Sequence, residues 1–122
     1  MTGARLALGS AGEELAARWY TDAGYRVLDR NWRCREGELD LVVCRGGLAV
    51  FCEVKTRRSL SFGLPAEAVT PTKQRRLRRL ALCWLAERAP GQARFPDLRF
   101  DVACVVAPPG AIPTLEVIEA AF

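Results

Sequence analysis

"LAVFCEVKT", residues Leu48 to Thr56, begins as an apolar strand and then sets Glu53 and Lys55 into its run, two residues apart. In an extended strand, residues i and i+2 point to the same face, so a carboxylate and an ammonium stand side by side. The segment before it, "ELDLVVCR" (Glu38 to Arg45), is equally strand-like, and Gly46-Gly47 between them is a dipeptide favoured in tight hairpin turns. A two-residue loop sets Arg45 across from Leu48. Carried along both strands, that register sets Asp40 opposite Glu53 and Glu38 opposite Lys55, whereas a three-residue loop would separate the acids. Directly opposed residues share a face, with Cβ atoms roughly 4.5 to 5.5 Å apart. Two facing acids repel, and a divalent cation relieves the repulsion, because paired carboxylate oxygens are what Mg²⁺ or Mn²⁺ accept. An amine beside them can position an attacking water or help deprotonate it. The hairpin therefore points to a metal-dependent hydrolytic site on Asp40, Glu53 and Lys55.

Outward from the hairpin, the chain reads as helices and strands of one sheet. Upstream, Leu15, Trp19 and Ala23 recur every four residues in "SAGEELAARWYTDA" (Ser10 to Ala23), with Gly24 as a stop, which predicts a helix. Glu14 and Arg18 are spaced to pair on its outer face, while Glu13 lines up with Ala17 and Tyr20 at the edge of the buried stripe. "YRVLDRNW" (Tyr25 to Trp32) predicts a first strand followed by a polar loop. Beyond the hairpin, "RRSLSFGLP" (Arg57 to Pro65) reads as a loop. Thr70-Pro71 is an N-cap followed by an N1 proline. Leu77, Leu80, Ala81, Trp84 and Leu85 then form the apolar stripe of a helix that Pro90-Gly91 ends. "LRFDVACVV" (Leu98 to Val106) is a fourth strand, "APPGAIP" a turn, and "TLEVIEAAF" a short last strand. The order α-β-β-β-α-β-β predicts an α/β fold, a single mixed β-sheet flanked by helices, in one domain over residues 1–122.

Composition narrows the chemistry. The chain has no histidine, which removes Ser-His-Asp and Cys-His catalysis and histidine-based zinc sites. Its five cysteines are odd in number and lack C-x-x-C spacing, so buried free thiols in a reducing compartment are expected. No apolar stretch approaches the ~20 residues of a membrane span, and the first ten residues carry no signal-peptide pattern, so a cytoplasmic protein without a membrane partner is expected. Of 18 basic residues, 16 are Arg and only Lys55 and Lys73 are Lys. A compact amine with an adjustable pKa does what a guanidinium cannot, which favours a chemical role for Lys55.

The net charge of +4 is unevenly placed. Between Glu53 and Arg88, nine basic residues (Lys55, Arg57, Arg58, Lys73, Arg75, Arg76, Arg78, Arg79 and Arg88) face three acids. Such a cluster suits a polyanion, nucleic acid first; the alternative is a solvated helix face. Gln74 lies in line with Leu77 and Ala81, and either reaches the site or is helix-start polarity. Glu38, opposite Lys55, either supports the site from beside it or is an edge residue. Asp101 faces away from Phe100, Val102 and Cys104, as a structural residue bonded to a loop would. Trp19 and Trp84 lie on apolar stripes and read as core, leaving Trp32 as the one tryptophan placed to meet a base.

The "GELD" and "CEVK" segments, which contribute Asp40 and then Glu53-Val54-Lys55, resemble the core of PD-(D/E)xK nucleases. Together with "GEELAARWYTDAGYRVLDRNWR", "VFCEVKTRRSLSFGLPAEAV" and "RFDVACVV", they resemble the YraN-like family of bacterial proteins, itself similar to archaeal Holliday-junction resolvases. The resemblance runs from about Gly9 to Phe122. It implies a restriction-endonuclease-like core of four or five strands and a metal-dependent endonuclease acting on nucleic acid, DNA before RNA, with branched or structured DNA as substrate. By that resemblance Asp40, Glu53 and Lys55 are the motif residues, and the resolvases' additional helix glutamate falls at Glu13. Glu13, Asp40 and Glu53 would hold Mg²⁺ or Mn²⁺. Arg57, Arg58, Lys73, Gln74, Arg75, Arg76, Arg78 and Arg79 would bind nucleic acid, and the resolvases suggest a homodimer. Leu39 stands where the motif has proline, a departure common in the wider superfamily. The fold also hosts inactive members, so the rival expectation is a non-catalytic nucleic-acid-binding or scaffold protein.

Overall fold

The Gly46-Gly47 turn closes as its sequence predicts, with Gly46 at φ +59, the left-handed region where a side chain is strained. In the computed structural model, which describes residues 2–59, 69–92 and 94–122, with side chains from residue 10 onward, this turn joins β2 (Gly37–Arg45) to β3 (Leu48–Arg57). Arg45 faces Leu48, Val43 faces Val50 and Leu41 faces Cys52. Ahead of the hairpin lie α1 (Thr2–Asp22) and β1 (Arg26–Cys34); after it come α2 (Pro71–Ala86), β4 (Asp97–Val106) and β5 (Thr114–Ile118). The five strands form one sheet in the order β1-β2-β3-β4-β5. β3 and β4 are parallel, joined by the crossover through α2, and the other neighbours are antiparallel. The fold is the mixed α/β sheet that the element order predicts.

Alternation along the strands divides the core between two faces. Val42, Ala49, Phe51, Phe100, Val102 and Cys104 pack under α2 against Leu77, Leu80, Ala81 and Trp84. Leu41, Val43, Val50, Cys52 and Ala103 pack under α1 against Ala16, Ala17 and Tyr20. α1 thus buries Gly12, Ala16, Ala17 and Tyr20 rather than the expected Leu15, Trp19 and Ala23. Trp19 is 37% exposed and Ala23 is exposed, which corrects the reading of Trp19 as core. Proximity is the physical reason: Gly12 lies so close to β3 that a Cβ there would overlap the Thr56 hydroxyl. Beside Gly12 the small Ala16 and Ala17 pack against the sheet, and the larger Tyr20 is buried a turn further on, where its hydroxyl donates to Asp101.

Asp101 is fully buried on the α1 face and satisfied on every side. It accepts from Tyr20 Oη (2.7 Å), from Arg99 Nε (2.8 Å) and Nη2 (2.9 Å), and from the Ala120 N–H (3.0 Å). A buried carboxylate needs such partners, and these tie α1 and the C-terminal segment to β4. The structural reading of Asp101 holds.

Other boundaries differ from the sequence expectations. β1 does not give way to a loop at Trp32 but continues to Cys34, which faces Gly37 across a two-residue connection. Glu14 is bound by Arg30 of β1 at 3.0 Å rather than pairing with Arg18. α2 starts as predicted, with Thr70 Oγ1 accepting from the Lys73 N–H (3.2 Å) and Pro71 in the first turn, but ends at Ala86, before Pro90-Gly91. All five cysteines are free; Cys44, Cys52 and Cys104 are buried, Cys34 and Cys83 half-buried. The predicted loop over Arg57 to Pro65 falls beyond residue 59 outside the described residues. Among the described residues, no helix is long and apolar enough to cross a membrane.

Candidate functional site

The alternation of β2 breaks at one place. Leu39 and Val42 both join the α2-side core, whereas Leu41 joins the α1-side core. Asp40 sits at that break. The β2–β3 ladder ends at Leu41–Cys52, and the Val54 N–H donates instead to Asp40 Oδ2 at 2.9 Å. The carboxylate therefore substitutes for a strand carbonyl and is pinned where β2 and β3 part. The β1 register, with Arg30 facing Leu41 and Trp32 facing Leu39, sets Asn31 across from Asp40 on the other side.

Glu53 lies next to Asp40 as the hairpin register requires, and the two carboxyls hydrogen-bond. Burial, together with the hydrogen bond to Glu53 and its charge, pushes Asp40 up to about 8. Burial opposes the ionisation of Glu53 too, but the hydrogen bond from Asp40 and the ammonium groups of Lys73 and Lys55 outweigh it and hold Glu53 below its ordinary value. The surroundings thus favour the protonated form of Asp40 and the ionised form of Glu53. Glu53, only 7% exposed, has Lys73 Nζ at 2.6 Å and Lys55 Nζ at 3.5 Å from the same oxygen, Oε2. Burial and the neighbouring Lys73 lower the pKa of Lys55, with Glu53 opposing. Burial also acts to lower Lys73, but its hydrogen bond to Glu53 reverses the sign and its pKa is raised.

From the α1 side comes Glu13. Its carboxylate and those of Glu38 and Asp40 each offer an oxygen within 4.8 Å of the others. Three hard oxygen donors at that separation fit Mg²⁺ or Mn²⁺ rather than a soft metal. Burial raises the pKa of Glu13 and the charge of Glu38 adds to it, against the Asn31 amide and Arg30. With its amide nitrogen turned inward, Asn31 donates to Glu13 Oε2 at 3.0 Å and Oε1 at 3.3 Å. Asn31 adopts φ +51, a conformation asparagine tolerates better than most residues. Glu38 is fixed from the rim by Arg33 Nε at 2.7 Å.

The cleft of about 360 Å³ beside these groups is lined by Glu38, Asp40, Glu53, Lys55, Lys73 and Arg76, together with the apolar Leu77 and Leu80. The cleft thus brings Asp40, Glu53 and Lys55 together and adds Lys73 and Glu38, while Glu13 meets Glu38 and Asp40 in a three-carboxylate group that takes Glu38 in place of the expected Glu53. The expected basic residues are more dispersed. Arg76 lines the cleft; Arg79 reaches Glu36 at 3.9 Å, and Arg75 donates to Thr72 at 3.3 Å. Arg78 stacks over Phe100 (4.9 Å) and Phe122 (5.4 Å), away from the cleft lining. Arg57 is half-buried at the end of β3 and Arg58 is exposed beside it. The Gln74 amide donates to the Val69 carbonyl at 3.1 Å, bracing the entry to α2. Trp32, the tryptophan expected to meet a base, is partly buried against the α2-side core.

Two participants were not assigned to the centre from sequence. Charge alone groups Lys73 with the phosphate-binding arginines, although its being one of two lysines in the chain is a signal. Its place in the first turn of α2, three residues after the cap, aims it back at β3. Asn31 gave no signal, because its role depends on a β1 register that only the folded sheet fixes.

Fold and cleft together define an α/β domain with a carboxylate–lysine centre where β2 and the central strand β3 of a mixed sheet diverge. The chain belongs to the uncharacterised protein family UPF0102, whose profile matches residues 12–105, in keeping with the YraN-like resemblance. It is 52% identical over 120 residues to a UPF0102 protein of Nocardia farcinica, covering 98% of this chain and 92% of the relative. It is 51% identical over 117 residues to one of Rhodococcus opacus, covering 96% and 97%. With one of Acidothermus cellulolyticus it shares 48% over 126 residues, covering 98% and 96%.

Proposed function

We propose that the protein is a metal-dependent endonuclease that hydrolyses nucleic-acid phosphodiesters, with branched or structured DNA as its foremost substrate. The observation that carries this reading is the convergence of Asp40, Glu53 and Lys55 on one cleft, with Glu13 arriving from α1. Glu13, Asp40 and Glu53 would hold Mg²⁺ or Mn²⁺, with Glu38 beside them. The bound cation supplies electrophilic stabilisation of charge on the phosphate. The protein's own contribution is positional. Asp40 is pinned by the Val54 N–H, and Asn31 holds the Glu13 carboxylate by its amide. Lys55, with its pKa lowered, orients the attacking water and stabilises the charge that develops on the phosphate oxygens. Arg76 at the cleft, with Arg57, Arg58, Arg75 and Arg79 around it, holds flanking phosphates.

One observation favours a second reading, a nucleic-acid-binding or scaffold protein that keeps the fold without the chemistry. Glu53 is already neutralised by two ammonium groups, so the centre is electrostatically satisfied by protein alone. The readings separate when the purified protein is mixed with branched, single-stranded and duplex DNA and with RNA, with and without Mn²⁺. Nicked or shortened products that require Mn²⁺ support the endonuclease. Retarded but intact nucleic acid under every condition supports the scaffold.

A further inference from the structure

Lys73 holds the shortest ion pair of the centre, on Glu53, the carboxylate that the proposed ligand set adds to the Glu13, Glu38 and Asp40 group. Its Nζ lies 2.6 Å from Glu53 Oε2, while Lys55 stands at 3.5 Å. The backbone of Lys73 is fixed by the Thr70 cap, but its side chain is a flexible four-carbon stem, 32% exposed, that opens into the cleft next to Arg76. An oxygen that ligates a divalent cation cannot keep a full-strength contact with an ammonium, because the two positive charges repel at short range. We propose that Lys73 is the stand-in cation of the metal-free centre: it occupies Glu53 until the divalent ion binds, and is then released into the cleft as a phosphate contact. This inference rests on the reading that the centre binds a divalent cation.

Release has two consequences that a merely structural salt bridge does not. First, the metal must displace Lys73, so Lys73 lowers the affinity for the metal it precedes. Second, the displaced ammonium is returned to the cleft lining beside Arg76, where a phosphodiester would lie. Metal loading and substrate contact are thereby coupled through one side chain.

The test is Mn²⁺ binding to the full chain by calorimetry, for wild type, Lys73→Gln and Arg26→Gln. Arg26→Gln removes the same charge from an exposed position at the far end of β1. Lys73→Gln should bind Mn²⁺ about tenfold more tightly, the order expected when one adjacent like charge is removed, whereas Arg26→Gln should match wild type. Equal or weaker binding by Lys73→Gln overturns the proposal, as does failure of both wild type and Lys73→Gln to bind. Wild type that binds Mn²⁺ but cleaves nothing defeats the nuclease reading and leaves this inference to the affinity comparison. Should Lys73→Gln not fold, the wild type decides alone. With only two lysines in the chain, ¹⁵N-lysine labelling gives two side-chain ammonium signals. The better protected one should lose its protection on saturation with Mg²⁺; protection that persists contradicts release.

Discussion

Burial and Glu53 favour the protonated form of Asp40, which makes stability depend on pH in a way that metal should reverse. Asp40 has a folded-state pKa of about 8, above its ordinary value. Its contribution to stability is therefore complete at pH below the ordinary carboxylate range and is lost as pH rises toward 8. Glu53, held low by its lysines, contributes in the opposite sense: its share is present above the ordinary range and lost as pH falls through its lowered value. The metal-free protein should accordingly melt at lower temperature at about pH 8.5 than at about pH 6, by roughly 3–6 °C for each kcal/mol lost. Asp40→Asn keeps a donor toward Glu53 without an ionisable proton, so its melting should be flat over that window and higher than wild type at the alkaline end. Adding Mn²⁺ should abolish the alkaline decline in wild type and do nothing for Asp40→Asn. A wild-type melting temperature that is constant from pH 6 to 8.5 without metal would show that the folded protein does not favour protonated Asp40.

At the scale of elements, the hairpin was the most legible part of the molecule. Gly46-Gly47 fixed the loop length, the loop length fixed the register, and the register set Asp40 beside Glu53. α1 was legible as a helix but not in its buried face. Periodicity favours large apolar residues, whereas this helix approaches β3 so closely that Gly12, Ala16 and Ala17 form the contact and Trp19 turns outward. No local pattern reveals an interhelical or helix–sheet distance. That distance matters for the site because Glu13 follows Gly12 directly. Gly12→Ala should push α1 from β3, destabilise the protein by about 1–3 kcal/mol as over-packing does, and weaken Mn²⁺ binding by displacing Glu13. Combining it with Thr56→Ala, which removes the overlapping hydroxyl, should restore much of both losses in calorimetry and thermal melting. If Gly12→Ala melts and binds Mn²⁺ like wild type, the close approach does not position Glu13.

Across the whole molecule, the alternation of helices and strands specified the α/β sheet, since a parallel β3–β4 pair needs a crossover and α2 supplies it. What composition could not resolve was the division of labour among the basic residues. A count of charges treats Arg76 and Arg78 alike, yet one lines the cleft and the other stacks over Phe100 and Phe122. Arg76→Gln should weaken DNA binding and lower the slope of log affinity against log salt by about 0.7–0.9, one phosphate contact. Arg78→Gln should leave that slope unchanged and instead lower the melting temperature, because its guanidinium packs on rings. Fluorescence anisotropy across a salt series checks both.

The claim that joins these scales is that the centre performs hydrolysis, and Lys55 is the residue on which it turns. Its removal leaves the carboxylates and the arginines in place, so nucleic-acid binding should persist while chemistry stops. The most direct measurement is the rate of cleavage of end-labelled branched DNA by wild type and Lys55→Ala, purified side by side, in Mn²⁺ and in chelator. The account predicts Mn²⁺-dependent cleavage by wild type, a loss of at least about 100-fold in Lys55→Ala on the scale of a lost charge-stabilising group, and retained binding in both. Equal cleavage by wild type and Lys55→Ala, or intact DNA with wild type in saturating Mn²⁺, would contradict it.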